Sequence, residues 1–269
     1  MPQVRKRFGQ HFLEPAWVEK VVSAIRPRRD QFFVEIGPGA GALTLKLAPA
    51  VAGVVAVEID RDLVERLRPR LPDNVTLIQG DFLEISIAAP ASLFPSGDHP
   101  VRFVGNLPYN ISSPILFRLI ALQASHAIQD ATLMLQAEVA ERILARPGSA
   151  AYGVLSILIQ FRADVKSQLI LPPGAFRPAP KVRSALVHLH FHPPPVSIAG
   201  DQMLERLVRT IFTQRRKTLA NALTPFAVTT GLTSAEGLRR AHIDPLRRPQ
   251  TLQLVEIARL VEVFHSGEK

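Results

Sequence analysis

A short apolar strand that runs straight into a glycine-rich turn, and from there into a helix, narrows the fold of this 269-residue chain more than any other feature. Gln31-Phe32-Phe33-Val34-Glu35-Ile36 is apolar along most of its length, as a strand covered on both faces must be. Gly37-Pro38-Gly39-Ala40-Gly41 follows directly, and Ala42 to Ala48 reads as helix. A second strand, Val54 to Ile59, precedes an amphipathic helix that Asp60 or Asp62 would cap. Asn74 to Gln79, Val101 to Val104 and Thr132 to Gln136 read as three more strands, with helices near 114–124 and from Glu138 to Leu144. Strands alternating with helices predict an α/β fold with a doubly wound, mostly parallel sheet.

Past Tyr152 the pattern changes. Gly153 to Phe161 is apolar nearly all round, and its length favours a buried helix over a strand. Pro172, Pro173, Pro178 and Pro180 make a rigid loop before Ser184 to Phe191, which alternates as a strand. Pro193-Pro194-Pro195 breaks the chain, and Gln202 to Leu223 and Leu252 to Phe264 have helical periodicity. The expected organisation is a basic segment over 1–29 packing on a catalytic domain over 30–195, then a small all-helical domain over 196–269.

Charge divides along the same lines. Residues 1–29 carry +5, residues 30–195 are neutral with 14 basic and 14 acidic side chains, and residues 196–269 carry +4. A neutral body between basic ends suits an enzyme whose extensions grip a polyanion. Arg5-Lys6-Arg7 at one end and Gln214-Arg215-Arg216-Lys217, placed in the first C-terminal helix, are the candidate phosphate contacts. The absence of cysteine excludes disulfides, thiolate nucleophiles and Cys-ligated metals. Apolar runs such as Leu47 to Val57 are too short to span a bilayer, and the first residues lead into no apolar signal core, so a cytoplasmic protein with no membrane partner is expected.

The strand ends carry the chemistry. The glycine turn lets a ligand approach the backbone and points helix N–H groups at it. With Ala42 it also satisfies a permissive dinucleotide fingerprint, and Glu58 is suitably spaced to grip a ribose, so a nicotinamide enzyme remains open at this point. S-adenosylmethionine (SAM) asks for the same turn, an acid for the ribose hydroxyls and an acceptor for the adenine amine. Glu58 and Asp81 would supply the last two, although Asp81 could equally be a turn cap. Asn106-Leu107-Pro108-Tyr109 favours SAM. The Asn106 oxygen and a carbonyl from Leu107 or Pro108 would grip the two protons of an adenine N6 and aim its lone pair, while Tyr109 stacks on the base. His188, His190 and His192 alternate with Val187, Leu189 and Phe191, so they are expected to face solvent and bind no metal.

With these residues in view, the chain closely resembles the ribosomal RNA adenine N6,N6-dimethyltransferase family (KsgA, also called RsmA), to which the Erm resistance methyltransferases are related. The motifs run in order through nearly the whole chain: Arg5 to Leu13, Val34 to Gly39, Val57 to Asp60, Asn106 to Ser112, Ala175 to Val182 and Phe212 to Thr218. The resemblance implies a Rossmann-like SAM-dependent methyltransferase domain. It implies SAM contacts at His11, Leu13, Gly37, Gly39, Glu58, Asp81 and Asn106, with Tyr109 and Phe176 sandwiching the target adenine. His11 departs from the family's usual asparagine but keeps hydrogen-bonding capacity. The implied substrate is a pair of adjacent adenosines in a hairpin loop near the 3′ end of small-subunit rRNA, met in the immature 30S subunit by a monomeric enzyme. In-line attack by N6 on the sulfonium methyl needs positioning more than a strong base. Two further readings are an assembly factor for which methylation is secondary, and Erm-like methylation of large-subunit rRNA.

Overall fold

The computed structural model describes residues 11–85, 101–123, 128–194 and 200–266. Arg5, Lys6 and Arg7 lie outside these residues. Contacts divide the chain into two compact units, one of residues 1–140 and 164–191, the other of 141–163 and 192–269.

The first unit is built on a seven-stranded sheet. In chain order its strands are β2 (Phe32–Ile36), β3 (Gly53–Glu58), β4 (Val75–Gln79), β5 (Val101–Asn106), β6 (Ile128–Gln136), β7 (Ala163–Leu171) and β9 (Ser184–Phe191). Their spatial order is β4-β3-β2-β5-β6-β9-β7. The pairs β3–β4, β2–β3, β2–β5 and β5–β6 are parallel, and β6–β9 is antiparallel. Every residue of β2 and β3 is buried, which explains why both are apolar apart from Glu35 in β2 and Glu58 at the end of β3. A separate pair joins β1 (Phe12–Leu13) to β8 (Phe176–Arg177) and brings two distant sequence motifs together.

The helices start where local chemistry allows. Helix α1 (Pro15–Ile25) opens with proline in its first turn, where no N–H is needed, and α3 (Arg61–Leu67) is capped by Asp60, which accepts from Asp62 N at 3.0 Å. Helix α2 (Thr44–Leu47) is shorter than the predicted helix because the chain tightens into a 3₁₀ turn at Ala48–Ala50, where Pro49 sits. Helix α4 (Ser112–Gln123) follows β5, and α5 (Ala137–Leu144) follows β6. Opposite the strand ends that form the site, Arg102 is buried with both oxygens of Asp130, Gln31 Oε1 and the Ile25 carbonyl, all within 3.0 Å, so its charge is matched and each of its three nitrogens donates.

β5 approaches β2 closely enough to require glycine. A Cβ on Gly105 would lie 2.6 Å from the Ile36 carbonyl oxygen. Gly105→Ala is therefore expected to cost about 2–3 kcal/mol, read as a lower urea midpoint at unchanged slope.

In the second unit, α6 (Val154–Gln160), α7 (Asp201–Thr213), α8 (Leu219–Ala222), α9 (Thr224–Ala227), α10 (Ser234–Arg240) and α11 (Leu254–Ser266) share one core. Residues 141–163 belong here, which differs from the single cut expected near 196. Tyr152 explains the difference: its ring is fully buried against Phe212, and its hydroxyl donates to the Leu252 carbonyl at 2.9 Å. α7 ends at Thr213, so Arg215, Arg216 and Lys217 follow the helix instead of lying within it. β7 was not foreseen, because its alternation is largely exposed. Among the described residues, no helix is long and apolar enough to cross a membrane.

Candidate active site

A cavity of about 260 Å³ opens over the C-terminal ends of β2, β3, β4 and β5. The chain runs outward from β2 through β3 and β4 and then returns to β5 on the other side, so the cavity sits at the switch point where open α/β sheets bind ligands.

The glycine turn forms one wall. Gly37, Gly39 and Gly41 all have positive φ, and a Cβ on Gly41 would also strike the Leu67 side chain at 2.3 Å. Glu58, at the end of β3 and 5% exposed, holds this turn: Oε2 accepts from Gly39 N and Oε1 from Asp60 N, each at 2.9 Å. Burial raises its pKa, and those N–H groups pull it back down. Each oxygen keeps a lone pair for a ligand hydroxyl. Asp81 Oδ1 accepts from Leu83 N at 2.8 Å, so this residue does shape a turn, yet it also lines the cavity. The two readings of Asp81 are compatible because the turn uses one oxygen.

β5 runs two residues further than the expected Val101 to Val104, so Asn106 is its last residue. Its Nδ2 donates to the His11 carbonyl at 2.6 Å, which fixes the amide and leaves Oδ1 as an acceptor. The Pro108 carbonyl accepts from Ile111 N at 3.2 Å, whereas no hydrogen bond of the described residues uses the Leu107 carbonyl. Leu107 is therefore the better second acceptor. Tyr109 lies against the His11 ring, centroids 5.4 Å apart, and its hydroxyl is 3.0 Å from Ser184 Oγ. His11 Nδ1 is 2.7 Å from the Pro178 carbonyl, which can only accept, so the proton sits on Nδ1. Leu13 lines the cavity as well.

Comparison with protein families matches residues 1–260 to the family described as ribosomal RNA adenine dimethylase. The chain belongs to the ribosomal RNA adenine dimethylase family. It is 45% identical to ribosomal RNA small subunit methyltransferase A of Chromohalobacter salexigens over 96% of this chain and 90% of that one. It is 44% identical to the protein of that description from Pseudomonas aeruginosa, over 96% and 93%. Among solved structures, a Plasmodium falciparum dimethyladenosine transferase shares the fold with a TM-score of 0.80, at 24% identity over 96% of this chain and 98% of that one. The 23S rRNA methyltransferase ErmE gives a TM-score of 0.68 at 25% identity, over 94% and 99%. The family leaves the nicotinamide reading without support.

Within this family site, one expected member stands apart. Phe176 is 1% exposed and packs in the core with Val21, Ile25 and Met134, and it does not line the cavity. Its backbone pairs with that of Leu13, a residue that does line the cavity. In the second unit, Arg215 donates to the Ala150 carbonyl and Gln250 Oε1, while Arg216 and Lys217 are exposed. His188 is half-buried and bonded to Thr132, unlike the solvent-facing histidine expected, and no group of three His, Asp or Glu among the described residues is placed to hold a metal.

Glu35 is the residue that the sequence reading passed over. It is 2% exposed, lines the cavity, and its Oε2 has no hydrogen-bond partner. Burial, reinforced by the negative charge of Glu58, pushes its carboxyl up to about 7. The Thr44 hydroxyl pulls the other way, though it forms no hydrogen bond of good geometry. The signal was available: an acid inside an otherwise apolar, doubly covered strand calls for a partner.

Proposed function

We propose that this enzyme transfers methyl groups from SAM to N6 of two adjacent adenosines near the 3′ end of 16S rRNA, giving N6,N6-dimethyladenosine during small-subunit biogenesis in the cytoplasm. The observation that carries this reading is the pair of unspent acceptors, Asn106 Oδ1 and the Leu107 carbonyl, on residues that line one cavity with Glu58 and Asp81. The small-subunit methyltransferases of similar sequence support the choice of rRNA.

The residues present fit SAM. Glu58 would hold the ribose hydroxyls, Asp81 the adenine amine, and Gly37 and Gly39 would let the methionine part lie against the backbone beside His11 and Leu13. An unpartnered carboxylate oxygen on Glu35 complements a cationic ligand. When bound, SAM supplies an electrophilic methyl group. The chain supplies position: Asn106 and Leu107 take the two N6 protons, which directs the lone pair away from the ring, and Tyr109 stacks on the adenine from the side opposite His11. The proton released afterwards passes to solvent. Phe176 acts through the core, where its ring supports the β1–β8 pair that carries Leu13. Arg5, Lys6, Arg7, Arg216 and Lys217 contact RNA phosphates, with Arg215 anchoring its own loop.

Purified enzyme is incubated with SAM and, in parallel, unmodified small and large subunits, and rRNA digests are read by mass spectrometry. Two adjacent N6,N6-dimethyladenosines in 16S rRNA are expected. Modification confined to 23S rRNA, or none, overturns the reading.

A further inference from the structure

A second groove opens beside the acceptor end of the cavity, and nothing in the chemistry above uses it. It encloses about 400 Å³, and Gln136, Glu138, Pro173, Lys181, Val182 and Arg183 line it. Strand register fixes its place. β5 pairs with β6 through Asn106 and Met134, and β6 pairs with β9 through Gln136 and Ser184. Ser184 is the hydrogen-bond partner of Tyr109, and Ala137 N donates to the Arg183 carbonyl at 3.0 Å. The groove thus begins one residue beyond the side chain that anchors Tyr109.

Its chemistry is mixed in an informative way. Lys181 and Arg183 are exposed, and neither pairs with a carboxylate among the described residues. Val182 is 46% exposed, and with Pro173 it offers an apolar surface for a flat ring. The Gln136 amide makes no hydrogen bond among the described residues, leaving an acceptor and two donors that match the N6/N7 edge of adenine. Glu138 has an interaction of its own, yet its carboxylate disfavours a run of phosphates along the groove. Two cations, an apolar wall and an uncommitted amide together complement one nucleotide better than a bare anion.

We propose that this groove seats the nucleotide adjoining the reacting adenosine, with its phosphate on Lys181 and Arg183 and its base edge on Gln136. The inference rests on the reading of the chain as an enzyme acting on adjacent adenosines. It adds that the first adenosine is methylated while its still unmodified neighbour is being read, so the pair, and not a lone adenosine, is the substrate of that first transfer.

The test uses full-length enzyme, SAM and two reconstituted small subunits, one with natural 16S rRNA and one with purine riboside in place of the neighbouring adenosine. Wild type is expected to lose about tenfold in single-turnover rate, with enzyme in excess of RNA but below saturation, when the neighbour lacks its amine. Gln136→Leu, with SAM affinity unchanged by calorimetry, is expected to start about tenfold slower on natural RNA and to lose nothing further on the analogue. Lys181→Ala with Arg183→Ala is expected to lower RNA affinity and reduce the slope of log K against log salt by about 1, whereas Arg66→Ala with Arg68→Ala, removing the same charge from the end of α3 and the turn after it, leaves that slope in place. A Gln136→Leu enzyme that discriminates as wild type does, or a Lys181/Arg183 variant with an unaltered slope, overturns the inference. Failure of wild type to methylate either RNA instead overturns the methyltransferase reading beneath it.

Discussion

Asn106→Ala should fold, bind SAM within a few-fold of wild type, and transfer methyl groups about 10²- to 10³-fold more slowly. The size of the effect comes from what the residue does at the reacting atom. An adenine N6 shares its lone pair with the ring, so attack requires the nitrogen to be drawn toward tetrahedral geometry. Two fixed acceptors do this at no reorganisation cost, and Asn106 Oδ1 is one of them because Nδ2 is already tied to the His11 carbonyl at 2.6 Å. Removing a preorganised group of this kind typically costs about 3–4 kcal/mol in the transition state and little in the ground state, so kcat falls and KM for RNA barely moves. Asn106→Asp is a sharper probe. It keeps an acceptor oxygen but loses the donor, setting a carboxylate against the His11 carbonyl, and it should recover only part of the rate. Pre-steady-state transfer of labelled methyl, with SAM affinity from calorimetry, separates the outcomes; wild-type transfer by the alanine variant would sink the mechanism.

Which parts of this site were legible in the sequence follows from the kind of interaction each residue makes. Gly37, Glu58, Asp81 and Asn106 were readable because each stands at a strand end, and strand ends are marked by local pattern: an apolar run, then glycine, acid or amide. The sheet was readable for the same reason, from β2 to β6. Interactions between distant segments were not. The carbonyl of His11 reaches Asn106 across 95 positions, and Tyr109 reaches Ser184 across 75. No periodicity encodes either contact. Phe176 illustrates the converse, since an aromatic residue in a family motif invites a stacking role, whereas pairing of β1 with β8 leaves its ring in the core. β7 escaped because a partly exposed strand carries a weak apolar rhythm. The packing of residues 141–163 with the second unit leaves no local mark, because the partners of Tyr152, Phe212 and Leu252, lie far along the chain.

Glu35→Gln should make the ligand-free protein more stable above neutral pH and, at the same pH, weaken its hold on SAM. In the unfolded chain this carboxyl titrates near 4.5, and in the folded protein burial raises it to about 7. Between those values the folded state holds a proton that the unfolded state has released, so stability falls as pH rises through this window. The stabilising contribution is complete below pH 4.5 and has been lost once pH passes 7, a difference of about 3 kcal/mol at one pH unit per 1.4 kcal/mol. Glutamine cannot ionise, so the stability gap between variant and wild type should be small at pH 5 and widen to about 3 kcal/mol at pH 8. SAM reverses the balance. Its positive charge favours the carboxylate, so wild-type binding releases a proton below pH 7 and tightens as pH rises to that value, while the variant shows neither behaviour. Denaturant midpoints at pH 5 and 8 test the first half, and calorimetry in two buffers of different ionisation enthalpy counts the proton. A pH-independent gap, or identical proton release from both proteins, would refute the role assigned to Glu35. If both halves hold, the strand that most constrains the fold also carries a destabilising charge whose compensation is the ligand itself, a trade of stability for binding placed at the centre of the sheet.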